Sequence, residues 1–287
     1  GAGAQSMMQT GIALSKERPE KTTLLLFEEP ENHLSHTNLS KLIRLIADGA
    51  DGRKVFVTTH SSYVANVLGL ENLQIVGDDS QQPYCSLLAD LSPETLRFFK
   101  KLPGYDTLRL ALSRAAILVE GPSDELIVQL AYLQTHNNRL PIEDGIDVIS
   151  VGSGFLRFLE IASSIEKRVL VLTDNDGDTD ALDRKYSDYF SDDHVYLGYV
   201  RDEYKPDDPT GIDPDKKLNW NTLEAEMLRK NGFESLKKIL GREDDCKANL
   251  LKYMESNKTD TALKLFDAGE NVLIPDYISD GIGWLDE

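Results

Sequence analysis

Short apolar runs alternate with amphipathic segments along most of the chain. The runs at 22–29, 53–62 and 70–79 each lead into polar residues, which predicts short buried strands. Between the first two runs, 36–50 has apolar residues at helical spacing and a glycine near its end, which predicts a helix. This alternation predicts an α/β fold.

A second series of the same kind follows a polar stretch at 78–86 that we interpret as a loop at a domain boundary. Its predicted strands and helices are 114–121, 122–136, 145–154, 155–166 and 168–178. Parallel strands joined by helices place the loops after the strands at one sheet edge, where sites form. We therefore predict a first domain at 1–80, a helical connector at 81–112, and a parallel-sheet domain with a helical C-terminal extension at 113–287.

Composition limits the class of protein. The 287 residues carry a net charge of -18, which argues against an ordinary nucleic-acid-binding protein. A phosphodiester enzyme with an acidic metal site is compatible with this charge, because bound cations make such a centre attractive to phosphate. The apolar runs are too short to span a bilayer, the N-terminus lacks the pattern of a signal peptide, and the two cysteines are far apart. We expect a cytoplasmic protein with no membrane partner.

Carboxylates follow two of the predicted strands in the second series. Asp174 and Asp176 end the apolar run at 168–178, while Glu120 ends an earlier strand and Asp124 lies in the next helical turn. Like charges so close repel unless cations lie between them. Residues two apart on an extended chain share a face, so we expect Asp174 and Asp176 to point the same way. Such oxygen ligands suit Mg²⁺ or Mn²⁺, and two ions about 4 Å apart would hold both reacting oxygens of a phosphodiester.

Simpler interpretations exist for these loops. The Asp-rich stretch after the third strand has the composition of a solvated turn. An EF-hand loop is excluded by spacing, since Gly177 falls at the fourth position and Lys185 at the twelfth. Gly152 and Ser153 follow the middle strand and form either a simple glycine turn or a contact, through backbone N–H groups, to phosphate or a metal-bound water.

The two acidic motifs, "ILVEGPSDELIV" and "VLVLTDNDGD", together resemble the Toprim domain of topoisomerases, bacterial primases and several nucleases. The resemblance covers about 113–205. It implies that Glu120, Asp174 and Asp176 are catalytic and that Asp124 is a further metal ligand.

The first domain carries a different set of motifs. "TTLLLFEEPENHLS" resembles the Walker B segment of an ABC-type ATPase, with Glu28 supporting Mg²⁺ and Glu29 polarising water. "VFVTTHSSYV" resembles the H-loop, with His60 as γ-phosphate sensor, and "GAGAQS" resembles a truncated signature motif that includes Gly3 and Gln5. No G-x-x-x-x-G-K-[ST] motif occurs, so we expect the chain to be the C-terminal part of a longer protein and ATP to act only there.

An ABC-type ATPase followed by a Toprim domain resembles the OLD (overcoming lysogenization defect) family of nucleases and the similarly built Gabija nuclease subunit. The resemblance implies Glu224, in "TLE", as a ligand of the second metal and Lys258, in "NKTD", as a charge on the reacting phosphate. Glu224 in an ordinary amphipathic helix and Lys258 as a solvated lysine are the alternatives. The resemblance also implies a prokaryotic or phage-related source, DNA as partner, a homo-oligomer formed through the ATPase domain, and a possible helicase partner.

The leading hypothesis is a two-metal DNA endonuclease or nickase, regulated by ATP in the longer protein and acting in phage defence or DNA repair. One alternative is a topoisomerase- or primase-type enzyme, which in the topoisomerase case requires a tyrosine nucleophile. The other is a non-catalytic DNA-binding module of an SMC- or RecF-like ATPase, for which the acidic residues would be unnecessary.

Overall fold

The computed structural model describes residues 8, 24–49, 52–79, 82–88, 90–201 and 218–287. The chain divides into two compact units, residues 1–112 and residues 113–287, and each is described by itself.

The first unit contains two parallel strands, β1 (Leu24–Glu28) and β2 (Lys54–Thr58). Helix α1 (His36–Gly49) connects them, and its apolar stripe is buried. Helix α2 (Ser62–Leu68) follows β2, and the Ser61 hydroxyl caps it by accepting from the Val64 N–H at 3.4 Å. Helices α3 (Pro93–Lys101) and α4 (Thr107–Leu112) complete the unit.

The third apolar run forms a separate hairpin. Strand β3 (Gln74–Asp79) pairs antiparallel with β4 (Gln82–Leu87). The predicted loop at 78–86 is therefore wrong for most of its length. Two residues separate the strands, which is a common hairpin connection, and the polar composition of this region conceals the second strand.

The second unit is built on a parallel sheet with the strand order β6–β5–β7–β8. The strands are β5 (Ala115–Val119), β6 (Ile146–Ser150), β7 (Arg168–Leu172) and β8 (Val195–Gly198). Every residue of β5 is buried, as expected for a central parallel strand. Because β5 and β7 are neighbours, the residues that follow them meet at one edge of the sheet.

Helices cover this sheet and extend beyond it. The helices that follow β5, β6 and β7 are α5 (Pro122–Thr135), α6 (Phe155–Ser164) and α7 (Thr179–Lys185). The C-terminal helices are α8 (Leu223–Asn231), α9 (Phe233–Leu240), α10 (Lys247–Ser256), α11 (Lys258–Ala268) and α12 (Asp276–Asp286). The predicted α/β class with a helical C-terminal extension is confirmed, although the sequence did not reveal α7 or β8.

Helix α12 approaches β7 and β8 closely because two glycines leave room for it. A Cβ atom at Gly281 of α12 would lie 2.6 Å from Leu170 Cδ1 of β7, and one at Gly198 of β8 would lie 3.1 Å from the Tyr277 carbonyl oxygen of α12. Side chains larger than hydrogen would force these elements apart. The close contact holds Tyr277, near the start of α12, beside the end of the sheet.

In the described ranges, no helix combines the length and the apolar composition needed to cross a bilayer.

Candidate active site

Glu120 is the first residue after the central strand β5, and the end of β7 holds its carboxylate. The Thr173 hydroxyl donates a 2.8 Å hydrogen bond to Glu120 Oε1, and the Asp174 N–H approaches the same oxygen at 3.4 Å. The parallel pairing of β5 with β7 places these groups side by side. The structure therefore brings Glu120 and Asp174 together.

Asp124 lies in the first turn of α5, as its spacing from Glu120 predicts. Its Oδ2 accepts a 3.0 Å hydrogen bond from the Gly121 N–H, which caps the helix. This bond turns the carboxylate back toward the end of β5. Asp124 therefore faces the same sheet edge as Glu120.

Asp174 stands in a turn that begins directly after β7. The side chain of Asn175 fixes this turn, because its Oδ1 accepts from the Gly177 N–H at 2.9 Å and its Nδ2 donates to the Val200 carbonyl at 2.6 Å. Since Val200 follows β8, the turn is tied to the neighbouring strand. The position of Asp174 is thus set by its own strand and by the edge strand.

Asp176 is separated from Asp174 by the geometry of this turn. It has a left-handed backbone (φ 50°), its side chain is exposed, and its Oδ1 accepts a 2.8 Å hydrogen bond from Asn219 Nδ2. The prediction that the two acids share one face of an extended chain is wrong, because the strand ends at Leu172.

Glu224 and Lys258 reach the same place from the C-terminal helices. Glu224 lies in the first turn of α8 and is only 4% exposed. Its Oε2 lies 3.4 Å from Lys258 Nζ, at the first residue of α11, yet in the described part of the chain this oxygen has no aligned hydrogen-bond partner. The Lys258 side chain is 47% exposed and therefore open to a ligand.

We call Glu120, Asp124, Asp174 and Glu224 the acid cluster. Burial raises the pKa of Asp174 well above its usual value, and the charges of the other three acids raise it further. Burial also raises the pKa of Asp124 to about 6, with contributions from Glu120 and Glu224. The cluster therefore carries more negative charge than its surroundings balance.

Lys258 is the cation that partly compensates this charge. Burial lowers its pKa, but the carboxylates of Glu224 and Asp174 outweigh burial, so the pKa of Lys258 is raised. The ammonium group in turn lowers the pKa of both Asp174 and Asp124. Lys258 offsets only part of the effect of the acid cluster, because the pKa values of Asp174 and Asp124 stay above their usual range.

The donor set fits a hard divalent cation in its chemistry. All four side chains offer carboxylate oxygens, which Mg²⁺ and Mn²⁺ prefer, and one buried oxygen of Glu224 lacks a hydrogen bond within the described ranges. Across those ranges, however, no three His, Cys, Asp or Glu side chains are already arranged to hold a metal ion. Metal binding would have to draw the carboxylates closer together.

The loop after β6 adjoins the cluster through its backbone. The Gly152 N–H donates a 3.0 Å hydrogen bond to the Glu120 carbonyl, and Gly152 adopts a left-handed φ of 55°. This N–H is used within the fold, which favours the alternative of a simple glycine turn, and the contact from Gly152 to phosphate or a metal-bound water stays a prediction. Ser153 is exposed, and its predicted contact stays a prediction.

In the first unit, the structure brings Glu29 and His60 together. Glu29 Oε1 lies 3.6 Å from His60 Nε2, and Glu29 Oε2 accepts a 2.6 Å hydrogen bond from Asn32 Nδ2. Glu28 is the exposed last residue of β1. Gly3 and Gln5 lie outside the described residues.

Sequence reasoning missed the side chains that hold the predicted ones. Glu31 Oε1 accepts 2.8 Å hydrogen bonds from the Thr59 hydroxyl and the His60 N–H, which fixes the loop that carries His60. Thr173 and Asn219 hold Glu120 and Asp176 in the same way. Thr173 directly precedes Asp174, and Glu31 follows Glu29 and Pro30. Their position next to a predicted motif is the sequence signal that could have identified them.

Comparison with known proteins identifies two regions of the chain. Residues 112–176 match the family model described as "Overcoming lysogenization defect protein-like, TOPRIM domain". Residues 11–66 match the model described as "AAA domain, putative AbiEii toxin, Type IV TA system". The chain therefore combines an AAA-type ATPase segment with an OLD-like Toprim domain.

Among solved structures, the chain is similar to the C-terminal region of the Xanthomonas campestris pv. campestris OLD protein, with 19% sequence identity and a TM-score of 0.37. The match covers 61% of this chain and 93% of that one. No curated protein sequence matches the chain.

Proposed function

Because residues 112–176 form an OLD-like Toprim domain, we propose that this chain is a metal-dependent DNA endonuclease or nickase. The observation that carries this proposal is the acid cluster, whose four carboxylates come from two strand ends and two helices. Buried like charges cost free energy in a protein without cations. Their convergence on one sheet edge therefore supports a site that gains its stability from bound cations.

Side chains of this chain divide the chemical roles between them. Divalent ions held by the acid cluster would act as Lewis acids and stabilise the negative charge on the phosphate during cleavage of the phosphodiester bond. Thr173 orients Glu120, and the Gly121 N–H orients Asp124. Lys258 places its partly exposed ammonium group at the cluster, where it can meet the negative charge that develops on phosphorus oxygens during attack.

The remaining predicted roles are part of this proposal. Asp176 serves as a further ligand at the exposed side of the site, where Asn219 holds it. The contact between Glu29 and His60 supports a nucleotide-sensing role for the first unit, so we assign ATP regulation to a longer protein that includes a phosphate-binding loop. Phage defence and DNA repair are the processes that such a regulated nuclease suits.

Cleavage of supercoiled plasmid DNA tests this function. We expect nicking or linearisation with Mg²⁺ or Mn²⁺ and none with EDTA. Asp174→Asn and Glu120→Gln should each lower the rate by roughly 100-fold or more, because each removes a charge that holds the cations. Asp267→Asn is the matched control, since it makes the same change at an exposed position of α11 and should cut like the wild type.

Three results would contradict the proposal. Full cleavage by either acid-cluster variant would remove the cluster from the reaction. A covalent phosphotyrosyl adduct on DNA would support a topoisomerase instead. Binding of DNA without cleavage under any divalent ion would support a non-catalytic module.

A further inference from the structure

A cleft of about 680 Å³ runs along β8, the edge strand of the sheet in the second unit. Its walls are Tyr189 and Phe190, β8 with the residues after it, the second half of α8, and the start of α12. This volume lies within the roughly 300–1,000 Å³ that is typical of sites for small organic molecules. None of the four residues of the acid cluster lines it, so the cleft is a separate feature of the same unit.

Direct hydrogen bonds connect the cleft wall to the turn that carries Asp174. The Thr173 N–H donates to the Gly198 carbonyl at 3.2 Å, and Asn175 Nδ2 donates to the Val200 carbonyl at 2.6 Å. Gly198 and Val200 both line the cleft. Because β7 and β8 are neighbouring strands, the wall of the cleft is hydrogen-bonded to the two residues that flank Asp174.

Helices α8 and α12 also connect the acid cluster with the cleft. Helix α8 contributes Glu224 to the acid cluster and, further along, Arg229 and Lys230 to the cleft. Helix α12 contributes Tyr277 to the cleft, and burial together with the charge of Asp174 raises the pKa of Tyr277 well above its usual value. A ligand in the cleft would therefore lie between elements that also position the acids.

The lining combines flat aromatic surface with cations. Phe190 is 48% exposed, whereas Tyr199 is only 5% exposed and has the Arg201 guanidinium 5.1 Å from its ring centre. The Arg201 side chain is 66% exposed and lies 4.0 Å from Asp183, and Lys230 pairs with Asp276 at 2.5 Å beside the same cleft. The lining also includes the carboxylates of Glu226, Asp276 and Asp280, so a phosphate must displace carboxylates from the cations it meets. An exposed aromatic ring with an exposed guanidinium in the same cleft suits a ligand that has a planar base and a phosphate.

We propose that this cleft binds one nucleotide of the DNA strand next to the scissile phosphate. The base packs against Phe190, and the backbone phosphate replaces Asp183 as the partner of Arg201 and Asp276 as the partner of Lys230. This proposal rests on the proposed nuclease function. An extended peptide that pairs with the edge of β8 is the competing occupant, and the observations favour the nucleotide because the cations and rings gather at one cleft.

Binding of a single-stranded oligonucleotide of about 12 nucleotides by the full chain tests this assignment, with Ca²⁺ replacing Mg²⁺ and with 2-aminopurine at successive positions. We expect quenched fluorescence at one position. Phe190→Ala and Arg201→Ala should each weaken binding by roughly 5- to 30-fold, which is the range expected for losing a stacked base or a phosphate contact. Leu263→Ala and Lys252→Ala remove an exposed apolar side chain and an exposed cation elsewhere, and should change affinity less than about twofold.

The outcomes separate this proposal from the nuclease function. Unchanged affinity in both cleft variants overturns the cleft assignment, even if plasmid cleavage proceeds and Asp174→Asn abolishes it. A self-association seen by light scattering that Phe190→Ala removes, without any effect on DNA binding, also overturns it in favour of a protein occupant. If the wild-type protein never cuts DNA, the nuclease function is refuted. If the cleft variants of that protein still lose oligonucleotide binding, the assignment of the cleft is supported on its own.

Discussion

At the scale of single residues, Lys258 and Glu224 form the contact that most constrains the chemistry. The ammonium group lies 3.4 Å from a Glu224 oxygen that has no aligned hydrogen-bond partner in the described part of the chain. It thus occupies part of the space in which a metal ion would meet the same carboxylate. Under the proposed function, a bound metal ion would compete with Lys258 for Glu224, and the ammonium group would then be free to face the phosphate.

This competition gives a prediction that separates binding from catalysis. Lys258→Met should bind Mn²⁺ several-fold more tightly than the wild type, because the competing charge and its repulsion of the metal are both removed. The same variant should cleave plasmid DNA roughly 100-fold more slowly, because the charge on the phosphate loses its partner. Isothermal titration calorimetry and a plasmid assay measure the two effects.

Lys252→Met is the matched control, since Lys252 is an exposed lysine of α10, outside the cluster. It should leave both Mn²⁺ affinity and cleavage unchanged. Weaker Mn²⁺ binding in Lys258→Met would refute the competition and make Lys258 a support for the metal site.

At the scale of elements, carboxylates cluster at the ends of β5 and β7, where their negative charge does not stabilise the fold. The pKa values of Asp124 and Asp174 are raised above their usual values by burial and by neighbouring acids. A folded state with raised carboxyl pKa values binds more protons than the unfolded chain. These groups therefore favour the fold below about pH 4 and oppose it as pH rises through about 6, unless cations are present.

Replacing Asp174 should accordingly stabilise the metal-free protein. In EDTA at pH 7.5, Asp174→Asn should raise Tm by roughly 2–6 °C, the change expected for about 1–2 kcal/mol in a domain of this size. At pH 4.5 the gain should shrink, because the raised pKa of Asp174 favours its neutral form as the pH falls. Thermal melts at the two pH values measure the difference, and added Mg²⁺ should raise the Tm of the wild type more than that of the variant.

Asp176→Asn provides the comparison within the same turn. Its carboxylate is exposed, and the amide oxygen of asparagine can still accept the hydrogen bond from Asn219. Its Tm in EDTA should stay within about 1 °C of the wild type. An equal gain in both variants would mean that general surface charge, and not the acid cluster, opposes the fold.

The elements also show what an amino-acid pattern reveals. Runs such as 114–121 and 168–178 predicted β5 and β7 because buried parallel strands are continuously apolar. Strand β8 has only four residues and follows an acidic stretch, so it gave no such signal. The polar residues of strand β4 concealed it in the sequence. Its extended conformation depends on pairing with β3, which the sequence pattern does not show.

At the scale of the whole molecule, the sequence predicted those site residues that a motif places at a strand end or in the helical turn directly after it. Glu120, Asp124 and Asp174 meet that condition. Glu224 and Lys258 lie in helices far along the chain, and only resemblance to a family singled them out. Asp176 was misplaced because pattern alone does not show where the strand stops and the Asn175 turn begins.

The acid cluster and the cleft both lie in the second unit. This leads to a test of whether the second unit folds and cuts DNA without the first. Among the described residues, the apolar core formed by the sheet and the C-terminal helices runs from Ala115 to Leu285, within the second unit. A fragment of residues 113–287 should therefore fold cooperatively and retain Mn²⁺-dependent cleavage within about tenfold of the full chain. A circular-dichroism melt and a plasmid assay check this, with Asp174→Asn in the fragment as the inactive control. A fragment that folds but does not cut would show that the first unit contributes directly to the reaction or to DNA binding, and one that fails to fold would show that the second unit depends on the first for its stability.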